Sequence, residues 1–364
     1  TEFAYLHSGT PKNSGFDNVA TVYVDDFEGS ETNIDLKDTS SWSLSSTPYG
    51  VEGSQFGIDD LRTGFSRAKL AWYNIDPIFY TRQRPIEIDD NELSKNETRR
   101  IFIEEIFPQQ DIIEGQSRIQ NTFDLSFFPK EKGPYNNNLN QDFLQNSKIN
   151  WAGITRDLSS TNFEKANVEF IQFWLLDTFS ENDSSSNNLG NLYLNLGNIS
   201  EDILKDGKKL YENGLPTVNS QEIVNESNWG KTPATQSLIY SFDSDENNRV
   251  LQDLGYDGLD DVQEIDKYDN GSSNDPAGDN YQYYIDANGG ILNRYKNYNG
   301  TQGNSPVNVD NTGRGSTTVP DNEDVNQDNT MNTIDSYFEY NVPITKNMRV
   351  GNHPFISDVR NDVK

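Results

Sequence analysis

The chain has 364 residues, 33% apolar and 12% aromatic, with 29 basic and 58 acidic side chains for a net charge of −29. That length suits one large domain with insertions or about two domains. The charge repels phosphate backbones, and anionic lipid too unless a divalent cation bridges, which argues against a nucleic-acid partner. There are no cysteines, which excludes disulfides, thiolate zinc sites and cysteine nucleophiles.

No signal peptide opens the chain, and no apolar run approaches the roughly 18 residues of a membrane-spanning helix. Residues 1–18 read as a linker from a preceding segment and 343–364 as a linker to a following one, as in an excised piece of a longer polypeptide. Val19 to Phe27 reads as a strand. It ends in an acidic turn, where Asp25, Asp26 and Glu28 either make Asx-type hydrogen bonds or ligate a cation. Asp89 to Arg100 is a helix candidate. From 119 to 127 the residues alternate, with Ile119, Phe123, Leu125 and Phe127 on one face, which predicts a strand. Val168 to Leu176 is apolar on both faces, as in a central covered strand, and places Trp174 in the core.

Ser180 to Asn188 is a polar, hairpin-type connection. Leu192, Leu194 and Leu196 alternate with Tyr193 and Asn195 in a further strand. Ser200 is a plausible N-cap with Glu201 and Asp202 in the first turn, for a helix stopping near Gly214. Residues 271–280 and 297–321 are rich in Gly, Asn and Ser and need ions or partners for order. There is no repeat of fixed period. The expected fold is mainly β: a jelly-roll-like β-sandwich with short helices over 19–240, then a loop-rich, calcium-braced extension over 241–342.

Two twelve-residue loops in that extension carry oxygen side chains at calcium-loop spacing. The first has Asp253, Asp257, Asp261 and Glu264 at positions 1, 5, 9 and 12, with Gly258 at the sharp turn of position 6. The second has Asp324, Asn326, Asp328, Thr330, Asn332 and Asp335, with Asn329 at position 6. Calcium is a hard ion that takes six to eight oxygens, and a short loop delivers them only if alternate residues point inward around a turn. Asn tolerates the left-handed conformation that such a turn needs. The ion would be structural. Against this stands the chance that an acidic, Asn-rich chain scatters such patterns. Asp243 and Asp245 lie just upstream, as extra ligands or as a solvated turn.

Trp42 and Trp229 sit in polar surroundings and are candidates for a sugar-stacking platform, although packing is the commoner role. Catalysis has little support. The histidines, His7 and His353, lie at opposite ends, and no nucleophile arrangement or phosphate loop is visible.

Several strings, in order along the chain, carry a family resemblance. They include YVDDFEG (23–29), FSRAKLAWY (65–73), FDLSFFP (123–129) with GPYN (133–136), WAGITR (151–156), ANVEFIQFW (166–174), GNISEDIL (197–204), YENGLP (211–216), RYKNYNG (294–300) and PDNED (320–324). In these the chain resembles the SprA/Sov family, the outer-membrane translocons of the type 9 secretion system. The resemblance implies a giant single-chain β-barrel that exports folded cargo and supports gliding motility. This piece would be a soluble cap or partner-docking segment of the outer membrane's translocon, facing the extracellular or, alternatively, the periplasmic side. Implied partners are other segments of the same barrel chain, a shuttle β-barrel, a plug protein and exported cargo. The rival reading is a jelly-roll carbohydrate-binding module.

Overall fold

The computed structural model describes residues 34–139, 142–145, 147–158, 170–176, 190–209, 218, 223–234, 241–268, 273–303, 319–345 and 348–360. The expected strand at 19–27, its acidic turn and the hairpin connection at 180–188 lie outside them. Contacts divide the chain into two units, Thr1–Asp35 with Leu158–Phe173, and Leu36–Asp157 with Trp174–Lys364. The described residues of the first unit, 34, 35, 158 and 170–173, form neither helix nor strand.

The second unit has more strand than helix. Its two longest ladders are antiparallel. β1 (Ala68–Tyr73) pairs with β2 (Asp124–Lys132), and β3 (Gly190–Asn198) pairs with β4 (Ser336–Ile344) along nine residues. Three shorter pairings join 43–44 to 154–155, 101–102 to 119–120, and 224–226 to 231–233. Among the described residues every sheet is two-stranded, so the stacked sheets of a jelly-roll do not form there.

The reason lies in where the apolar mass goes. The expected alternation at β2 is present, but its faces are inverted. Leu125 and Phe127 are 45% and 47% exposed, while Ser126 turns inward to hydrogen-bond the Tyr73 hydroxyl at 2.8 Å. The core is instead built by aromatics from loops and short turns. The rings of Tyr73 and Tyr295 stack with centroids 4.0 Å apart, and those of Tyr284 and Tyr295 at 4.6 Å. Phe79, Ile88 and Ile291 complete this first cluster. A second cluster gathers Tyr135, Ile203, Leu204, Trp229, Tyr256 and Ala277. Rings bury large areas per side chain, so few are needed where only a third of the residues are apolar.

Other expected elements are corrected. The strand at 192–196 is present as β3. Residues 170–176 are outside any strand and exposed, with Phe170 at 80% and Trp174 at 39%. Trp174 is therefore not core; it packs edge-on against Phe107 with Arg360 over its ring. The helix expected after Ser200 does not form over 200–209. Its acids are used elsewhere: Asp202 accepts from the Asp206 and Gly207 amides at 2.9 and 3.0 Å, and Glu201 accepts from the Asn326 and Asn332 amides. The helix expected over 89–100 shrinks to one 3₁₀ turn, Glu92–Ser94, whose entry amide at Glu92 bonds Asp89.

Candidate metal centre

The first acidic loop leads into the one eight-residue helix among the described residues, α1 (Asp261–Tyr268). Gly258 adopts φ +64°, the left-handed turn expected at position 6. That turn swings the chain so that Asp257 and Glu264 converge. Asp279, from the next loop, completes a group of three carboxylates whose nearest oxygens all lie within 4.8 Å of one another, every member buried. A second group, Asp261, Glu264 and Asp275, meets the same limit and shares Glu264.

The local wiring is clear. Asp257 Oδ1 accepts from the Leu259 amide at 3.1 Å, and Glu264 Oε2 from the Ala277 amide at 2.9 Å. Asp275 Oδ1 accepts from the Gly278 and Asp279 amides, curling that loop, and Asp261 Oδ1 accepts from the Asn280 side-chain amide at 3.0 Å. Asp257 Oδ2 and Asp279 Oδ2 are buried without a hydrogen-bond partner. The loop is pinned from below by the Lys231 amide on the Asp257 carbonyl and by the Tyr268 hydroxyl on the Trp229 carbonyl.

Burial and mutual repulsion dominate the electrostatics. Burial first, then the Glu264 charge, pushes the Asp257 carboxyl well above its usual range. Asp279 rises for the same reasons, with the Asp257, Glu264 and Asp275 charges adding to burial and the Tyr135 hydroxyl opposing. Glu264 is pushed up to about 8, by burial and then by the Asp275 and Asp261 charges. Two lysines flank the site but bind elsewhere: Lys69 Nζ donates to the Gly278 carbonyl at 3.1 Å, and Lys267 Nζ to the Ser227 carbonyl at 2.8 Å. Buried carboxylates this close need a cation or protons. Oxygen-only donors at this spacing suit a hard divalent ion such as calcium, whose oxygens lie about 2.3–2.6 Å from it.

Of the four side chains at loop positions 1, 5, 9 and 12, Asp257 and Asp261 each meet Glu264, in different groups. Asp253 is in neither group; it is buried, and its charge, after burial, raises the carboxyl of Asp321. Asp275 and Asp279 were missed by the loop template. The signal was there: Asp275, Asp279 and Asn280 repeat the position 1, 5, 6 spacing of Asp253, Asp257, Gly258 and of Asp324, Asp328, Asn329.

The second loop also wraps as a cation loop does. Asp324 accepts from the Asp328 and Asn329 amides, Asn326 from Asp328, and Asp328 from Thr330, with Asn329 at φ +66°. Its side chains are also engaged by groups from another segment of the protein. Lys209 pairs with Asp324, the Asn332 side chain bonds Glu201, and Asp335 accepts from the Ser200 amide at 2.8 Å. Asp243 bonds the Asp245 amide and the Asn248 side chain, in a solvated turn.

The platform candidates divide. Trp229 is 1% exposed and belongs to the second core cluster. Trp42 is half-buried, stacked on Phe123 at 5.8 Å with Arg156 over its ring. His353 is half-buried against Phe355, and His7 is outside the described residues. No helix among the described residues is long and apolar enough to cross a membrane.

Residues 258–364 match the family described as motility related/secretion protein. That stretch carries Asp261, Glu264, Asp275, Asp279 and the whole second loop, and the class it matches is that of motility- and secretion-related proteins. The family is SprA. No curated protein matches the chain.

Proposed function

We propose that this chain is a calcium-braced, soluble segment of a giant outer-membrane β-barrel translocon, serving as a cap over the exit or as a docking surface for a partner. The observation that carries the reading is the overlap between the motility and secretion family match and the carboxylate centre. Calcium at Asp257, Glu264 and Asp279 ties the 253–264 loop to the 275–280 loop. It thereby holds the second aromatic cluster, since Tyr135 donates to or accepts from Thr301 and accepts from the Tyr256 amide beside Asp279. A segment without disulfides gains its rigidity outside the cell from such an ion, at dissociation constants of about 10⁻⁴–10⁻³ M for extracellular modules. Partners in this reading are the rest of the barrel chain, the shuttle barrel, the plug and exported cargo.

The role is tested in the parent protein by in-frame deletion of 19–342, with barrel assembly confirmed. Cargo release that persists while a large antibiotic now enters supports a cap. Secretion that stops while the membrane stays tight supports docking or cargo handling. No change in either overturns the reading. The carbohydrate-binding alternative loses one of its two platform candidates, because Trp229 is enclosed in the core.

A further inference from the structure

We infer that the carboxylate centre takes two calcium ions rather than one, bridged by Glu264. This rests on the calcium reading above and extends it to the number of ions and to ligands outside the first loop.

The geometry supplies two sets of three carboxylates that share Glu264. Asp257, Glu264 and Asp279 make the inner set; Asp261, Glu264 and Asp275 make the outer one. Within each set the oxygens lie within 4.8 Å of one another, which fits a central ion at about 2.3–2.6 Å from each. Glu264 alone belongs to both sets, and a carboxylate has two oxygens to share between two ions. It is also the most enclosed member of the outer set, at 0% exposure.

Charge gives the second argument. The two sets hold five carboxylates, and none of the five is in an ion pair among the described residues. One divalent cation leaves three of the five carboxylates to be compensated by protons or by a second cation; two cations leave one. Uncompensated charge at low dielectric is costly. The two orphaned oxygens, Asp257 Oδ2 and Asp279 Oδ2, point to a ligand at the inner set.

The order of filling follows from exposure. The inner ligands are all buried, whereas Asp261 and Asp275 are half-buried. The inner ion therefore binds more tightly and the outer ion exchanges with solvent. The bridging glutamate couples the two steps.

Native mass spectrometry of the 364-residue chain, titrated with calcium, tests this. Asp261→Asn and Asp275→Asn should each lower the number of bound calcium ions by one and weaken the later binding step at least tenfold, leaving the first within threefold. Glu264→Gln should remove both ions. Asparagine keeps an accepting oxygen for the Asn280 and Gly278 contacts, and two separate outer variants guard against one misfolding. An unchanged count in both Asp261→Asn and Asp275→Asn overturns the two-ion centre while leaving a one-ion brace intact. No calcium binding at all overturns both, and the two failures are thus distinguishable.

Discussion

Lys209 and Asp324 form an ion pair enclosed on both sides, with side chains 7% and 1% exposed. Asp324 is position 1 of a loop wound as a cation loop is wound, so an ammonium from a distant segment stands where a metal ligand's ion would be expected. The pair ties the 200–209 segment to the 319–335 segment, which Glu201 and Glu323 also bridge through the Asn326, Asn332, Ile203 and Leu204 amides. Breaking a buried pair from one side leaves an uncompensated charge.

Lys209→Met should therefore destabilise the protein by about 3–5 kcal/mol. Millimolar calcium should restore part of that loss in the variant, because Asp324, Asn326 and Asp328 are already arranged around the loop. Urea midpoints with calcium and with chelator give the answer. A calcium-to-chelator gap no larger in the variant than in the parent would show that the second loop has no cation-binding capacity.

Chelation should lower the melting temperature of the unmodified chain, by linkage equal to about 2.7 kcal/mol when free calcium had been a hundred times its dissociation constant. Asp279→Asn should shrink that gap from both ends. It relieves repulsion with Asp257 and Glu264 in chelator and removes a ligand in calcium. Thermal melts of both proteins in both conditions decide it, and a gap that survives the substitution counts against the inner site.

Gly230→Ala probes the same site without touching a carboxylate. A Cβ there would lie 1.9 Å from the Asp257 carbonyl oxygen and 2.9 Å from its Cβ. Such overpacking costs about 1–3 kcal/mol and displaces Asp257. The expected result is a lower melting temperature together with weaker calcium binding by calorimetry. Loss of stability with unaltered calcium affinity would place Asp257 outside the coordination sphere.

Trp229→Ala should cost about 3–5 kcal/mol, as for other buried aromatics. Trp42→Ala should cost less, since that ring is half-buried. A glycan array run on the Trp42→Ala variant separates packing from sugar stacking: specific binding that disappears with the ring would revive the carbohydrate reading.

Asp124 gives the pH dependence. Burial raises its carboxyl to about 6, with a Thr122 hydrogen bond opposing. The folded state keeps a proton that the unfolded chain releases near its ordinary value of 3.8. Its contribution to stability is thus complete below that value and is lost as the pH rises through about 6. Asp124→Asn should remove this component, so the difference in denaturation midpoint between variant and parent should grow from pH 4 to pH 7. A difference that stays flat over that range would mean Asp124 is ionised in the fold.

Much of the candidate site was legible in one dimension. Spacing alone marks Asp257, Gly258, Asp261 and Glu264, because a twelve-residue loop has few ways to aim oxygens at one point. It also marks the left-handed turn at Asn329. The same rule applied at Asp275 reaches Asp279. Strand alternation located β3 and β2, and the quoted strings reached the family that residues 258–364 match.

Faces, partners and charge compensation were not legible. Alternation states that Leu125 and Ser126 point opposite ways, but only the Tyr73 hydroxyl makes Ser126 the inner one. Local propensity allowed a helix after Ser200, yet Glu201 and Asp202 are taken by amides more than one hundred residues away and next door, respectively. Lys209 settles beside Asp324 and Asp253 beside Asp321, so two position-1 acids of equal appearance in the sequence meet a cation in one case and another acid in the other. Side-chain spacing is a local property and survives in the sequence. Which distant group answers a buried charge depends on how loops 50 to 200 residues apart close over the core, and that is settled by the free energy of the whole fold.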